Sequence, residues 1–312
     1  MQVRALCCER PEMPTSGLSP AVGLLIIGDE ILSGKRQDKH FPTLCAKLAA
    51  RGIGLDWVHY AGDDRNRLSS FLRASFDRSD WVISCGGIGA TPDDHTRQAA
   101  AAALGRELVL HPEARALITL RCAEMAAEGR GSADMGTPEN QQRLKMGEFP
   151  SGSRIIPNAY NRIPGFAVER HCFVPGFPVM AWPMVDWVLD HWWQALHRRD
   201  LRHERSFIVD EFPESLATPV LEEIERTFPQ LRVFSLPSMG EAGERRHIEL
   251  GVKGPAEFLD AALALLRAGI TARGGATRDA LTPGVPGQGS IPEPISPPAD
   301  GASSRPGKGG RR

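Results

Sequence analysis

Between residues 22 and 104, short apolar runs alternate with stretches whose apolar residues recur three and four positions apart, which narrows the choice of fold more than any other feature. "VGLLII" (22–27) is apolar throughout and stops at a glycine, as a strand buried on both faces does. Phe41, Leu44, Cys45 and Leu48 follow at the spacing of one helix face. "LDWVHYAG" (55–62) reads as a second strand, Leu68, Phe71, Leu72 and Phe76 as a second helical face, and "DWVISC" (80–85) as a third strand. A helix is expected from about Asp94 through "RQAAAAAL". Strand–helix repeats of this length predict an α/β domain: a parallel sheet with right-handed crossovers and helices on both faces.

Downstream the pattern turns more helical. One helix is expected over 111–129 and another over 137–146, the latter with Thr137 as N-cap and Pro138 opening it. Short strands near 154–156 and 171–174 lead into a helix whose Trp182, Val185, Leu189, Trp192 and Leu196 form a packing stripe. A polar run, "HRRDLRHER" (197–205), then separates a smaller module. It reads strand 205–210, helix 214–228, strands 231–236 and 245–252, and helix 255–270, with Leu216, Val220, Ile224 and Phe228 sharing a helix face. Four regions are therefore expected: a loose extension (1–20), a main α/β domain (21–198), a β-α-β-β-α domain (203–270) and a disordered tail (271–312) holding nine Gly and seven Pro.

Charge and cysteine usage exclude several function classes. The 37 basic and 38 acidic side chains nearly cancel, so no global field draws in nucleic acid or a membrane surface. The small module has a strand order found in some RNA-binding units but no GxxG loop to serve one, so no nucleic-acid partner is expected. No apolar run approaches the length of a membrane span. The six cysteines show neither zinc-like spacing nor a compact disulfide framework, which fits reduced thiols and a cytoplasmic location. Cys85 has no histidine placed by spacing to activate it and reads as a buried strand cysteine.

Chemistry in open α/β sheets gathers at the C-terminal ends of the parallel strands. The first strand ends in "IIGDEILSG", presenting Gly28, Asp29 and Glu30, and the third ends in "SCGGIGATPDDHT". Gly86, Gly87 and Gly89 can take backbone angles that aim successive N–H groups at an anion, and the following helix points its N-terminus at the same place. The same residues are compatible with a plain tight turn, with Asp93 or Asp94 as a helix cap. An anion beside carboxylates needs either a divalent metal between them or a ligand carrying its own hydrogen-bond donors.

"GDEILSG", "GGIGATPDDHTRQA", "PENQQRLKM", "IIPN", "IPGF" and "VPGFP", in this order, resemble the molybdopterin-binding fold of the MoaB/Mog type, and more narrowly the N-terminal domain of CinA proteins. The resemblance covers roughly residues 21–195, and the 205–270 module is similar to the small domain that follows in that subfamily. It implies a three-layer, mostly parallel sheet with a mixed edge. It also implies that Gly28, Gly86, Gly87, Gly89 and Thr91 hold a phosphorylated ligand, with Asn158, Pro175, Gly176 and Pro178 closing the site. Asp29, Glu30, Asp93 and Asp94 would be its catalytic carboxylates, and Asp29, Glu30 and Asp94 would hold Mg²⁺, Mn²⁺ or Co²⁺. The activity implied is metal-dependent hydrolysis of a nucleotide pyrophosphate such as ADP-ribose or FAD. The alternative is non-hydrolytic molybdopterin binding in molybdenum cofactor biosynthesis. Relatives often self-associate, so a homo-oligomer is expected. Departures from the pattern fall at Lys39 and His40, since the subfamily usually has Asp-Thr-Asn where this chain has Asp38-Lys39-His40, and at "NRIPGF" (161–166). The amidase domain of full-length CinA proteins has no counterpart here, so deamidation of pyridine nucleotides is not expected.

Overall fold

The order of the elements follows the alternation just described. A computed structural model of the chain describes residues 21–78, 80–197, 203–240 and 245–280. The larger unit runs β1 (Val22–Ile27), α1 (Asp29–Leu32), α2 (His40–Ala49), β2 (Trp57–Ala61), α3 (Arg65–Phe76), β3 (Trp81–Cys85) and α4 (Thr96–Leu104). It continues with β4 (Leu108–Leu110), α5 (Pro112–Ala127), α6 (Pro138–Lys145), β5 (Glu148–Pro150), β6 (Arg154–Ile156), β7 (Gly165–Val168), β8 (His171–Val174) and α7 (Pro178–His191). The described residues form two compact units, those within 21–204 and 253–259 in the first and those within 205–252 and 260–280 in the second.

The main sheet has the order β2-β1-β3-β8-β7-β6. β2, β1, β3 and β8 are parallel neighbours, while β7 and β6 add an antiparallel edge. β1 is buried along its whole length because both its faces are covered. Leu24 and Ile26 pack with Leu44 and Leu48 of α2 and Val185, Val188 and Leu189 of α7. Leu25 and Ile27 pack on the opposite face with Leu68 and Leu72 of α3 and Ala99 and Ala100 of α4. Each of these large side chains contributes roughly 1.5–3 kcal/mol by leaving water. The result is three layers, with the stacked rings of Phe149, Phe166 and Phe173 continuing the second core under the antiparallel edge.

The second unit carries a four-stranded sheet, β10-β11-β9-β12. Its elements are β9 (His203–Asp210), α8 (Glu214–Thr227), β10 (Arg232–Ser238), β11 (His247–Gly254), α9 (Ala256–Ala272) and β12 (Thr277–Asp279).

Several expectations need correction. Residues 271–280, expected to belong to the tail, are part of the fold: α9 runs on to Ala272 and β12 pairs antiparallel with β9. The Gly and Pro count averaged over a window whose first ten residues hold two Gly and no Pro. Gly274, at φ +85°, makes the turn, and Arg278 and Arg267 pair with Asp210 and Asp279. The extension (1–20) and the tail from 281 lie outside the described residues. Leu216 is 45 % exposed, since a strict four-residue repeat drifts off a 3.6-residue helix, and α8 buries Ala217, Val220, Leu221 and Ile224. Phe41 is also exposed, in the first turn of α2. The strands β4, β5 and β7, three or four residues each, were not expected from the sequence.

Candidate functional site

Parallel strands β2, β1, β3 and β8 end side by side, and four loops leave the sheet along that edge. β1 lies between β2 and β3, so the chain crosses over β1 on its way from one neighbour to the other. An open α/β sheet has its crevice at such a reversal.

The first loop holds Gly28, Asp29 and Glu30. Gly28 N–H donates to Ala61 O at 3.0 Å, tying the end of β1 to the end of β2. A Cβ on Gly28, at φ +157°, would lie 2.6 Å from Glu30 Oε2, so the glycine makes room for that carboxylate. The second loop brings in a residue the sequence reading did not single out. Asp29 N–H donates to Asp63 Oδ2 at 2.9 Å, and Asp63 N–H donates to Asp29 Oδ1 at 3.2 Å. Burial, with the charges of Asp29, Glu30 and Asp93, raises the Asp63 carboxyl above the usual range, against the lowering effect of its hydrogen bond from Asp29. The signal was available, since "AGDD" follows β2 as "GDE" follows β1.

The third loop, residues 86–95, is built by its carbonyls. Thr96 Oγ1 donates to Gly86 O (3.1 Å), Thr96 N–H to Gly87 O (3.0 Å) and Arg97 Nη2 to Gly89 O (2.6 Å). In a planar trans peptide the N–H points opposite its carbonyl. Anchoring those three oxygens toward α4 therefore turns the N–H groups of Gly87, Ile88 and Ala90 away from it. None of the three meets an acceptor among the described residues. Glycine is required where the loop is tightest: at Gly86 (φ +110°) a Cβ would lie 2.2 Å from Ile27 O.

The motif "PENQQRLKM" serves this loop. Gln142 Nε2 donates to Ala90 O at 2.6 Å, and buried Asn140 donates to Ser132 O and Asp134 O. Asp93 is exposed at the rim. Asp94 is turned back on its own loop, accepting from Thr91 N–H at 2.9 Å and from the Thr91 hydroxyl. It closes the 91–94 turn rather than capping α4, which starts at Thr96 with His95 before it and no side-chain cap.

The fourth loop carries Pro175, Gly176 and Pro178. A Cβ on Gly176 would be 3.4 Å from Gly86 Cα, so this loop packs directly against the third. His40, buried, donates from Nε2 to Gly176 O at 2.9 Å, while Asp38 caps the start of α2 through His40 N–H and Phe41 N–H. Of the two departures, His40 thus has a structural use, whereas Lys39 is exposed. Asn158 is buried with its side chain spent within its own turn, on Tyr160 N–H, Asn161 Oδ1 and Ile163 O. Arg162, at φ +65°, pairs with Glu124. Cys85 is buried, and burial with the nearby Asp38 charge pushes its thiol far up, away from nucleophilic use.

The structure thus brings Asp29, Glu30 and Asp93 each within electrostatic reach of Asp63 and keeps Asp94 in its own turn. No three His, Cys, Asp or Glu side chains among the described residues converge enough to hold a metal ion. No described helix is long and apolar enough to cross a membrane.

A family model described as a probable molybdopterin binding domain matches residues 23–197. A protein of Pyrobaculum arsenaticum is 30% identical over 224 residues, which are 70% of this chain and 81% of that one. A CinA-like protein of Anaeromyxobacter sp. is 38% identical over 174 residues, 54% of this chain but 40% of that protein. The chain therefore spans less than half of that CinA-like relative. Among solved structures, the protein CinA of Thermoplasma acidophilum, of unknown function, is 28% identical with a TM-score of 0.46, over 55% of this chain and 96% of that one. The resemblance carried by the six motifs holds: with a match over more than half its length, this chain belongs to the probable molybdopterin binding domain family.

Proposed function

We propose that the crevice at the ends of β1, β2, β3 and β8 binds a phosphorylated heterocycle, a molybdopterin or a nucleotide. The observation that supports this reading is the set of outward N–H groups at Gly87, Ile88 and Ala90, opposite carbonyls fixed by Thr96 and Arg97. Phosphate oxygens would accept from those groups. The carboxylates of Asp29, Glu30 and Asp63 would accept from the donors of a pterin ring or a ribose.

The finer reading is hydrolysis of a nucleotide pyrophosphate such as ADP-ribose or FAD. It is supported by the raised carboxyl of Asp63, which moves this residue toward accepting a proton from an attacking water. Asp63 Oδ1 is the oxygen not engaged by the Asp29 amide and would take the proton. The carboxylates present do not by themselves fit a resident divalent metal, because no three of them converge.

AMP release from ADP-ribose and from FAD tests hydrolysis, with Mg²⁺, Mn²⁺ or Co²⁺ against an EDTA control and the Asp94→Asn and Asp63→Asn variants. Release lost in Asp63→Asn supports the proton-acceptor role. No release with any metal, together with pterin fluorescence that survives chelation, supports non-hydrolytic molybdopterin binding instead.

A further inference from the structure

We propose that Arg97 is the positioning residue of the glycine loop: its buried guanidinium polarises the Gly89–Ala90 peptide and supplies the positive charge that the loop presents to phosphate. This inference rests on the phosphate-binding reading.

Arg97 is 3 % exposed, an uncommon place for a guanidinium. It forms no ion pair among the described residues. Its donors go only to carbonyls: Gly89 O at 2.6 Å, Lys145 O, and Glu148 O at 3.5 Å, and its Nε has no partner. A buried cation whose hydrogen bonds all go to neutral oxygens is balanced only through space, which is costly unless an anion completes the arrangement. Burial lowers its affinity for its proton, against the opposing charges of Glu148 and Asp94.

The geometry says where that anion would sit. Arg97 reaches the loop from the α4 side through Gly89 O, and the Ala90 N–H at the other end of the same peptide points away from it. A charge-assisted hydrogen bond at the carbonyl strengthens the N–H opposite, since linked hydrogen bonds polarise one another. Thr96 does the same for two earlier peptides with neutral donors. Among these anchoring donors Arg97 alone adds charge, in a loop whose own Asp93 interacts through space with Asp63 and would otherwise help repel phosphate.

The test titrates the full chain with inorganic pyrophosphate, for the wild type, Arg97→Lys and Arg97→Gln, and records the backbone amide resonances of Gly87, Ile88 and Ala90. The expected result is binding at least tenfold weaker in Arg97→Gln and less impaired in Arg97→Lys. The Ala90 amide proton should shift upfield in Arg97→Gln even without pyrophosphate, which a purely packing role would not produce. Wild-type binding with equal affinity in Arg97→Gln overturns the inference and leaves the site reading standing. Absence of wild-type binding removes both. If Arg97→Gln does not fold, the wild type still decides: pyrophosphate that binds without moving the Ala90 amide overturns the proposal.

Discussion

Asp29 and Asp63 clasp one another across the ends of β1 and β2, each carboxylate accepting the other's backbone N–H at 2.9 and 3.2 Å. Two like charges are thereby held close by hydrogen bonds that need only an oxygen acceptor, not a charge. Gly62 permits the approach, since a Cβ there would lie 2.4 Å from Asp29 Oδ1.

Asp63→Asn keeps the acceptor and removes the charge. Because the Asp63 carboxyl is raised in the folded state, its ionised form opposes folding once pH exceeds that raised value. The variant should melt about 1–3 °C higher at pH 7.5. The gap should narrow as pH falls into the ordinary carboxylate range and vanish below it, where Asp63 is protonated folded or unfolded. Thermal melts at pH 7.5 and pH 4 check this, and a lower melting point in the variant at pH 7.5 would refute it.

His171 supplies the opposite dependence. It is buried at the start of β8, with Nε2 2.8 Å from Ser75 Oγ and its ring 4.2 Å from that of Phe76. Burial, then the charge of Arg78, pushes it down to about 3. The unfolded chain takes up a proton below roughly pH 6.5 while the folded one does not, so this stability is complete above that pH and is lost as pH falls toward 3. His171→Asn should lose about 1–3 kcal/mol at pH 7.5. Between pH 6.5 and 4 its melting temperature should fall less steeply than the wild type's, a difference visible in paired pH series.

The sequence makes the buried layers legible and the edges poorly so. β1 and β3, buried over their full length and almost wholly apolar, announce themselves, whereas β4, β5 and β7 are too short for a period to register. At the site, the glycines and the Asp29–Glu30 pair are visible as residue types at strand ends. What Asp63, Thr96 and Arg97 contribute is not, because it depends on which backbone group each one reaches. Asp94 shows the converse: its type suits a metal ligand or a cap, and its side chain closes a turn on Thr91.

Glycines 87 and 105 separate backbone strain from crowding. They share nearly the same positive φ, +67° and +63°. A Cβ at Gly105, the C-cap of α4, meets nothing within 4 Å, while one at Gly87 would lie 2.2 Å from Thr96 Oγ1. Gly105→Ala should therefore cost only the intrinsic penalty of that conformation, about 1–2 kcal/mol, and leave pyrophosphate affinity unchanged. Gly87→Ala bears the same penalty and also displaces Thr96, whose hydroxyl and N–H hold Gly86 O and Gly87 O. Its melting temperature should drop further, and its affinity for pyrophosphate should fall at least tenfold, because the displaced carbonyls no longer fix the direction of the opposite N–H groups. Melts and pyrophosphate titrations on both variants make the comparison, and equal affinity in the two would show that Thr96 does not set the loop.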